Sequence, residues 1–141
     1  MKGGLCPHPI GRSMADIKSD DGILSRTTID FSVRIVKYYE WLVREKHEYV
    51  MSKQILRSST SIGANVFEAN FGASKPDFIN KLQIALKEAN ETRYWLIVLQ
   101  KSGYYDSSFG SIDADLNYIR NLLIKSINTA KKNLEKGNNE L

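Results

Sequence analysis

Residues 74–103 read SKPDFINKLQIALKEANETRYWLIVLQKSG, and this segment has the start, stripe and stop of a long helix. Ser74-x-x-Asp77 is a capping box, in which hydroxyl and carboxylate satisfy the first backbone N–H groups, and Pro76 suits the first turn. Gly103 follows the last turn as a stop signal. Between these ends Phe78, Leu82, Ala85, Ala89, Thr92, Leu96 and Leu99 alternate at spacings of four and three, the seam of left-handed helix packing. A helix of about 27 residues is about 40 Å long. Its C-terminal half adds Trp95, Ile97 and Val98, so it is apolar nearly all round, and part of it is expected to contact another copy of the chain.

On the N-terminal side, a second helix is expected from Lys53 to Phe71, with Ser52 as N-cap and Gly72 just past its end. Ile55, Ser59, Ile62, Val66 and Ala69 form its inner face. The run Ser58-Ser59-Thr60-Ser61 and the pair Gly63-Ala64 are poor helix formers, so close packing must hold this helix, the small residues admitting a near neighbour. A first helix is expected from Thr28 to Lys46, opened by a capping box at Thr27 and Asp30. Its stripe is Ile29, Val33, Val36 and Val43, widened by Phe31, Ile35, Tyr38, Tyr39 and Leu42. On the C-terminal side, beyond a loop over Tyr104–Gly110, a fourth helix runs from Ile112 to Lys136, capped by Ser111. Its stripe is Leu116, Ile119, Leu123, Ile127, Ala130 and Leu134. Four helices with short connections predict an all-α, up-and-down, left-handed four-helix bundle over residues 23–136. Residues 1–22 hold four of the nine glycines and two of the three prolines and read as a disordered tail; residues 137–141 read as a frayed end.

The 141 residues, 42% apolar and 26% charged, suit one globular domain. One cysteine, Cys6, excludes a disulfide framework or a cysteine-built zinc site within one chain. Two histidines, His8 and His47, leave little for acid–base or metal chemistry. The longest apolar run, Trp95 to Leu99, is far below the roughly 18–20 residues of a membrane span, and no signal-peptide pattern opens the chain. A soluble cytoplasmic protein is expected.

Catalytic patterns fail one after another. A di-iron bundle needs Glu-x-x-His pairs, whereas Glu88-x-x-Glu91 with Glu68 offers carboxylates alone and no helix interior supplies a histidine. No histidine stands near the serines at 58–61, and no phosphate-cradling glycine loop occurs. No enzyme, metal or cofactor is expected. Glu68, Glu88 and Glu91 are expected to pair with Arg57, Arg93 or amides such as Asn65. The 20 Lys and Arg exceed the 16 Asp and Glu, giving a net charge of +4. Lys125, Lys131, Lys132 and Lys136 crowd the end of the fourth helix, where the helix dipole favours cations. The same lysines form a candidate phosphate-contacting patch, which Lys53 and Arg57 join if symmetry multiplies it into a ring.

Two blocks add a resemblance: Gln54-Ile55-Leu56-Arg57-Ser58 with Ser61-Ile62-Gly63-Ala64-Asn65-Val66-x-Glu68, and Asp77-Phe78-Ile79-x-Lys81-Leu82 continuing through Glu88-Ala89-x-Glu91-Thr92-x-Tyr94-Trp95-Leu96. Together they resemble the bacterial four-helix bundle proteins encoded in intervening sequences of the large-subunit ribosomal RNA gene, collinearly over residues 27–132. The resemblance implies a homopentameric ring. It also implies a relationship to the accessory variability determinant of diversity-generating retroelements, which binds nucleic acid and a reverse transcriptase. The positions carried over are Arg57, Asn65, Glu68, Glu88, Glu91, Tyr94 and Trp95, none with a catalytic role. The expected function is therefore a non-enzymatic, homopentameric bundle binding structured RNA or another nucleic acid through a ring of Lys and Arg. The other reading is a protein-interaction scaffold that binds no nucleic acid.

Overall fold

A computed structural model describes residues 19–72 and 74–139. Four helices follow one another along the chain: α1 (Ser19–Arg44), α2 (Met51–Ala69), α3 (Lys75–Lys101) and α4 (Ser111–Asn139), with a single 3₁₀ turn at Ser107–Phe109. Cross-helix partners run in opposite directions along each pair. Arg57 meets Glu91 while Glu68 meets Lys81, and Gln100 meets Asp113 while Arg120 meets Asn90. Neighbouring helices are thus antiparallel, and α4 closes the bundle against α1 through the ion pair of Arg34 with Asp115. The architecture is an all-α four-helix bundle.

The α3 segment folds as its sequence predicts. The Ser74 hydroxyl accepts the Asp77 N–H at 3.3 Å. Leu82, Ala85, Ala89, Thr92, Leu96 and Leu99 are buried, while Phe78 packs half-buried against the same core. Past the last turn Gly103 takes φ +85°, a left-handed conformation that costs glycine little. The all-round apolar stretch is mostly absorbed within the chain: Trp95 and Val98 are half-buried, and only Tyr94 and Ile97 face outwards.

Helix α1 departs from expectation at its start and on its face. It already runs at Ser19, nine residues before the expected start, so Thr27 and Asp30 are interior and make no capping box. The Thr27 hydroxyl donates instead to the Ile23 carbonyl one turn back, a common fate of threonine inside a helix. The extra turns hold because Leu24, Ser25 and Thr28 are buried against the bundle. Leu24, Phe31, Ile35, Tyr38 and Leu42 face the core, whereas Ile29, Val33 and Val36 are 43%, 51% and 41% exposed. The expected principal stripe is thus the outer one, because the aromatic and leucine side chains fill more of the core. The expectation for residues 1–18 lies outside the described residues; residues 19–22, assigned to that tail, are helical.

Helix α2 keeps its inner face, with Ile55, Ser59, Ile62, Val66 and Ala69 all buried. The small residues have the anticipated effect: a Cβ added at Gly63 would stand 3.4 Å from the Thr28 Cβ. Buried Ser58 accepts the Thr92 hydroxyl at 2.9 Å across the α2–α3 contact. The caps differ. Ser52 lies inside the helix, and the capping group is the Glu48 carboxylate, which accepts the Val50, Met51 and Ser52 N–H groups at 3.1, 3.0 and 2.6 Å. At the other end Asn70 is the C-cap and Gly72 no left-handed stop.

Glu48 is 9% exposed. Burial pushes its carboxyl up, but the N–H groups of Met51, Ser52 and Val50 outweigh this and hold it below the ordinary 4.5. Its folded value being depressed, Glu48 stabilises the fold above pH 4.5 and ceases to do so as pH falls through that depressed value. Replacing Glu48 by Ala is expected to cost about 1–2 kcal/mol, the scale of a lost N-cap. Denaturant melts at pH 7 and at pH 3 check this: the gap between wild type and variant should narrow at the lower pH, and an equal gap would contradict the capping role.

Helix α4 buries Ile112, Leu116, Ile119, Leu123 and Ile127 and continues to Asn139, so residues 137–139 are helical where a frayed end is expected. Ser111 is its first residue and accepts the Arg34 guanidinium on its hydroxyl. At the same end of the bundle Tyr38, Trp41 and Phe109 cluster with ring centroids 5.0 to 6.0 Å apart, and the Tyr38 hydroxyl donates to the Tyr104 carbonyl.

Candidate nucleic-acid interface

The last turns of α4 present the lysine cluster. Lys125, Lys131, Lys132 and Lys136 are all exposed. At 3.6 residues per turn, Lys125, Lys132 and Lys136 lie along one side of the helix and Lys131 on the flank. Among the described residues no carboxylate stands within salt-bridge distance of any of the four. Lys132 and Lys136 border a shallow depression with Thr129, Asn133 and Glu135.

Lys53 and Arg57 do not join this cluster within one chain. Arg57 pairs with Glu91 and stands 3.6 Å from Glu88. This level of α3 is also the level of Arg120 on α4, since Arg120 reaches Asn90. Lys132 is therefore about 18 Å further along the bundle, and Lys53 one turn further away still. Helices α2 and α4 are each antiparallel to α3 and so run parallel to one another, which puts the start of α2 and the end of α4 at opposite ends of the bundle. Arg57 is, besides, committed to two carboxylates.

The other positions carried by the resemblance are structural links. Glu68 takes Lys81 at 2.7 Å, a partner not among the expected ones. Asn65 donates to the Ser61 carbonyl within α2 at 2.8 Å. Burial, and then the neighbouring charge of Glu91, push the Glu88 carboxyl up against the pull of Arg57. Tyr94 is 60% exposed and meets Trp95 edge-on at 5.1 Å, and the Trp95 indole N–H is buried without a partner. Among the described residues no group of three or more His, Cys, Asp and Glu is placed to hold a metal ion, and no helix is long and apolar enough to cross a membrane.

A groove of about 560 Å³ lies where α1 and α3 begin beside the middle of α4. Ile23, Phe78, Tyr118 and Leu122 give it an apolar, partly aromatic lining, with Lys75 and Lys125 at the charged positions. Sequence reasoning missed Lys75 because it lies 50 residues before Lys125 and on another helix; only the antiparallel α3–α4 pairing brings them to one groove.

Residues 21–125 match the sequence profile of the family described as 23S rRNA-intervening sequence protein. The chain belongs to that family. A protein of unknown function from the S23 ribosomal protein family of Bacteroides thetaiotaomicron VPI-5482, known from its crystal structure, is similar over 77% of this chain and 98% of its own, at 52% identity and a TM-score of 0.75. No curated protein matches the chain. The span matched to the 23S rRNA-intervening sequence protein family includes Arg57, Glu88, Glu91, Lys75 and Lys125. It ends before Lys131, Lys132 and Lys136, so the lysine-rich end of α4 lies outside the matched part.

Proposed function

We propose that this member of the 23S rRNA-intervening sequence protein family is a non-enzymatic bundle that assembles with copies of itself, as a ring of five, and binds structured RNA through the lysines at the end of α4. The supporting observation is the unpaired state of Lys125, Lys131, Lys132 and Lys136, while Arg34, Arg57 and Lys81 are spent on interhelical ion pairs. A ring repeats this cluster once per subunit and turns a mild net charge into a local field strong enough for phosphate contacts. The test is binding of a labelled structured RNA by anisotropy, titrated from low to near-physiological salt. Saturable binding with a log–log slope of several units supports the reading. No binding even at low salt overturns it in favour of the protein-interaction scaffold.

The outer stripe of α1 supports the assembly. Ile29, Val33 and Val36, spaced four and three apart and each more than 40% exposed, suit a helix–helix contact with a second copy better than water. Val33→Glu is expected to lower the assembled mass in sedimentation while the helical circular dichroism is retained. An unchanged mass would remove this face from the ring contact.

A further inference from the structure

We propose that the groove between the beginnings of α1 and α3 and the middle of α4 seats one unpaired base of the bound RNA, flat against Tyr118 and Phe78, with Lys75 and Lys125 on the adjoining phosphates. This inference rests on the RNA-binding reading above and adds to it a preference for unpaired over fully paired RNA.

The groove unites features that otherwise occur apart. Its volume of about 560 Å³ falls within the roughly 300–1,000 Å³ of small-molecule sites and admits a nucleotide. Tyr118 is 51% exposed on its wall, a large ring left open where Leu122 and Phe78 continue the apolar surface inwards. Lys75 comes from α3 and Lys125 from α4, both exposed and neither in an ion pair. Among the described residues the lining includes two lysines and no carboxylate. Ser126, Thr129 and Asn133 add hydroxyl and amide groups on the same side of α4. Aromatic rings that take a base face, cations that take phosphate, and polar groups that take base edges or a 2′-hydroxyl are the chemistry by which proteins hold unpaired RNA. The lysines fit an anion and the rings a planar group. An acidic peptide would use the first and leave the second idle. A base inside a duplex has both faces stacked already and cannot enter.

The groove is continuous with the proposed phosphate patch. Lys125 stands seven residues from Lys132, two turns on along the same side of α4, about 10 Å away. A strand whose base occupies the groove thus runs its backbone towards Lys132 and Lys136.

The experiment compares a short labelled oligouridine with a blunt, fully paired RNA hairpin, on the full chain and on Tyr118→Ala, Lys75→Ala and Lys131→Glu/Lys132→Glu. Tyr118 is half-exposed, so its truncation leaves the core intact; Lys75→Ala gives a second reading that does not depend on it. Expected is a loss of about tenfold or more in oligouridine affinity for Tyr118→Ala, the scale of one base stacked on an aromatic ring, with hairpin binding nearly unchanged. The charge reversal should weaken both RNAs. Photo-crosslinking with 5-bromouridine should place the adduct on the peptides holding Tyr118 or Phe78. If both RNAs bind and Tyr118→Ala and Lys75→Ala weaken them equally or not at all, the base seat is wrong while the RNA-binding reading stands. If neither RNA binds at low salt, the RNA-binding reading fails and the base seat with it. A fall in assembled mass for Tyr118→Ala would make the groove a contact between copies and overturn the proposal.

Discussion

Ile35→Ala should lose about 3 kcal/mol of unfolding free energy, within the range for a truncated buried isoleucine, whereas Val33→Ala, two residues away, should stay within about 0.5 kcal/mol. Ile35 is fully buried among Leu24, Phe31, Tyr38 and Leu42 facing the other helices, and Val33 is 51% exposed on the opposite side of α1. The first substitution removes apolar contacts and leaves a void that the surrounding residues fill only in part; the second removes surface that water already covers in the isolated chain. Urea melts followed by circular dichroism, at a concentration low enough to populate the single chain, separate the two. Equal losses would mean that α1 is rotated relative to the bundle. Repeating the Val33→Ala melt at rising protein concentration adds a second reading. A destabilisation that grows with concentration places Val33 in the contact between copies, since association stabilises only the folded chain.

That pair of residues also marks where the sequence was hard to read. On α3 a single apolar seam has a hydroxyl cap at one end and a left-handed glycine at the other, so period and boundary signals agree and face and ends are legible. Helix α1 has two apolar stripes at helical spacing, Ile29-Val33-Val36 and Phe31-Ile35-Tyr38-Leu42. Periodicity alone cannot choose between them, because the choice depends on the volume that the other three helices leave free. The false capping box at Thr27 and Asp30 has a related cause: the pattern is local, whereas the true start is held by the burial of Leu24 and Ser25 against the bundle. Glu48 was illegible as a cap because its three N–H partners follow a bend at His47, where φ is +53°, that no residue-type rule signals.

The candidate site divides along the same line. The lysines of α4 are near one another in sequence and share a helix, so their clustering is a matter of 3.6-residue geometry. Lys75 meets Lys125 only through the antiparallel α3–α4 pairing. The pairing of Arg57 with Glu88 and Glu91 was legible as a possible ion pair, but its position, far from the end of α4, follows from tertiary topology. A signal was available for both: once four antiparallel helices with short connections are accepted, residues near the end of α4 must lie beside the start of α3 and away from the start of α2.

The largest functional effect is expected from reversing Lys131 and Lys132 together. Each cation that neutralises a phosphate contributes about 0.7–0.9 to the log–log salt slope. Removing two from every subunit of a ring should lower the slope by more than one unit and the low-salt affinity for structured RNA by about a hundredfold, and the two new carboxylates repel the backbone as well. Glutamates near a helix C-terminus also oppose the dipole, at about 0.3–1 kcal/mol, so weakened binding could arise from fraying of the last turns of α4. Lys131→Gln with Lys132→Gln separates the causes: it removes the cations without adding anions, and should keep most of the loss in slope while leaving the melt unchanged. Lys53→Glu at the far end of the bundle is the matching control for net charge. In the single chain it stands about 24 Å further along the bundle than Lys132, so a local patch predicts that it leaves affinity nearly intact. If Lys53→Glu weakens binding as much as one reversal on α4, the RNA responds to the total charge of the assembly, and the end of α4 is no distinct site. If instead affinity and slope survive the double reversal while RNA still binds, the contact lies elsewhere, and the groove between α3 and α4, with Lys75 and Lys125, is the next basic surface to reverse.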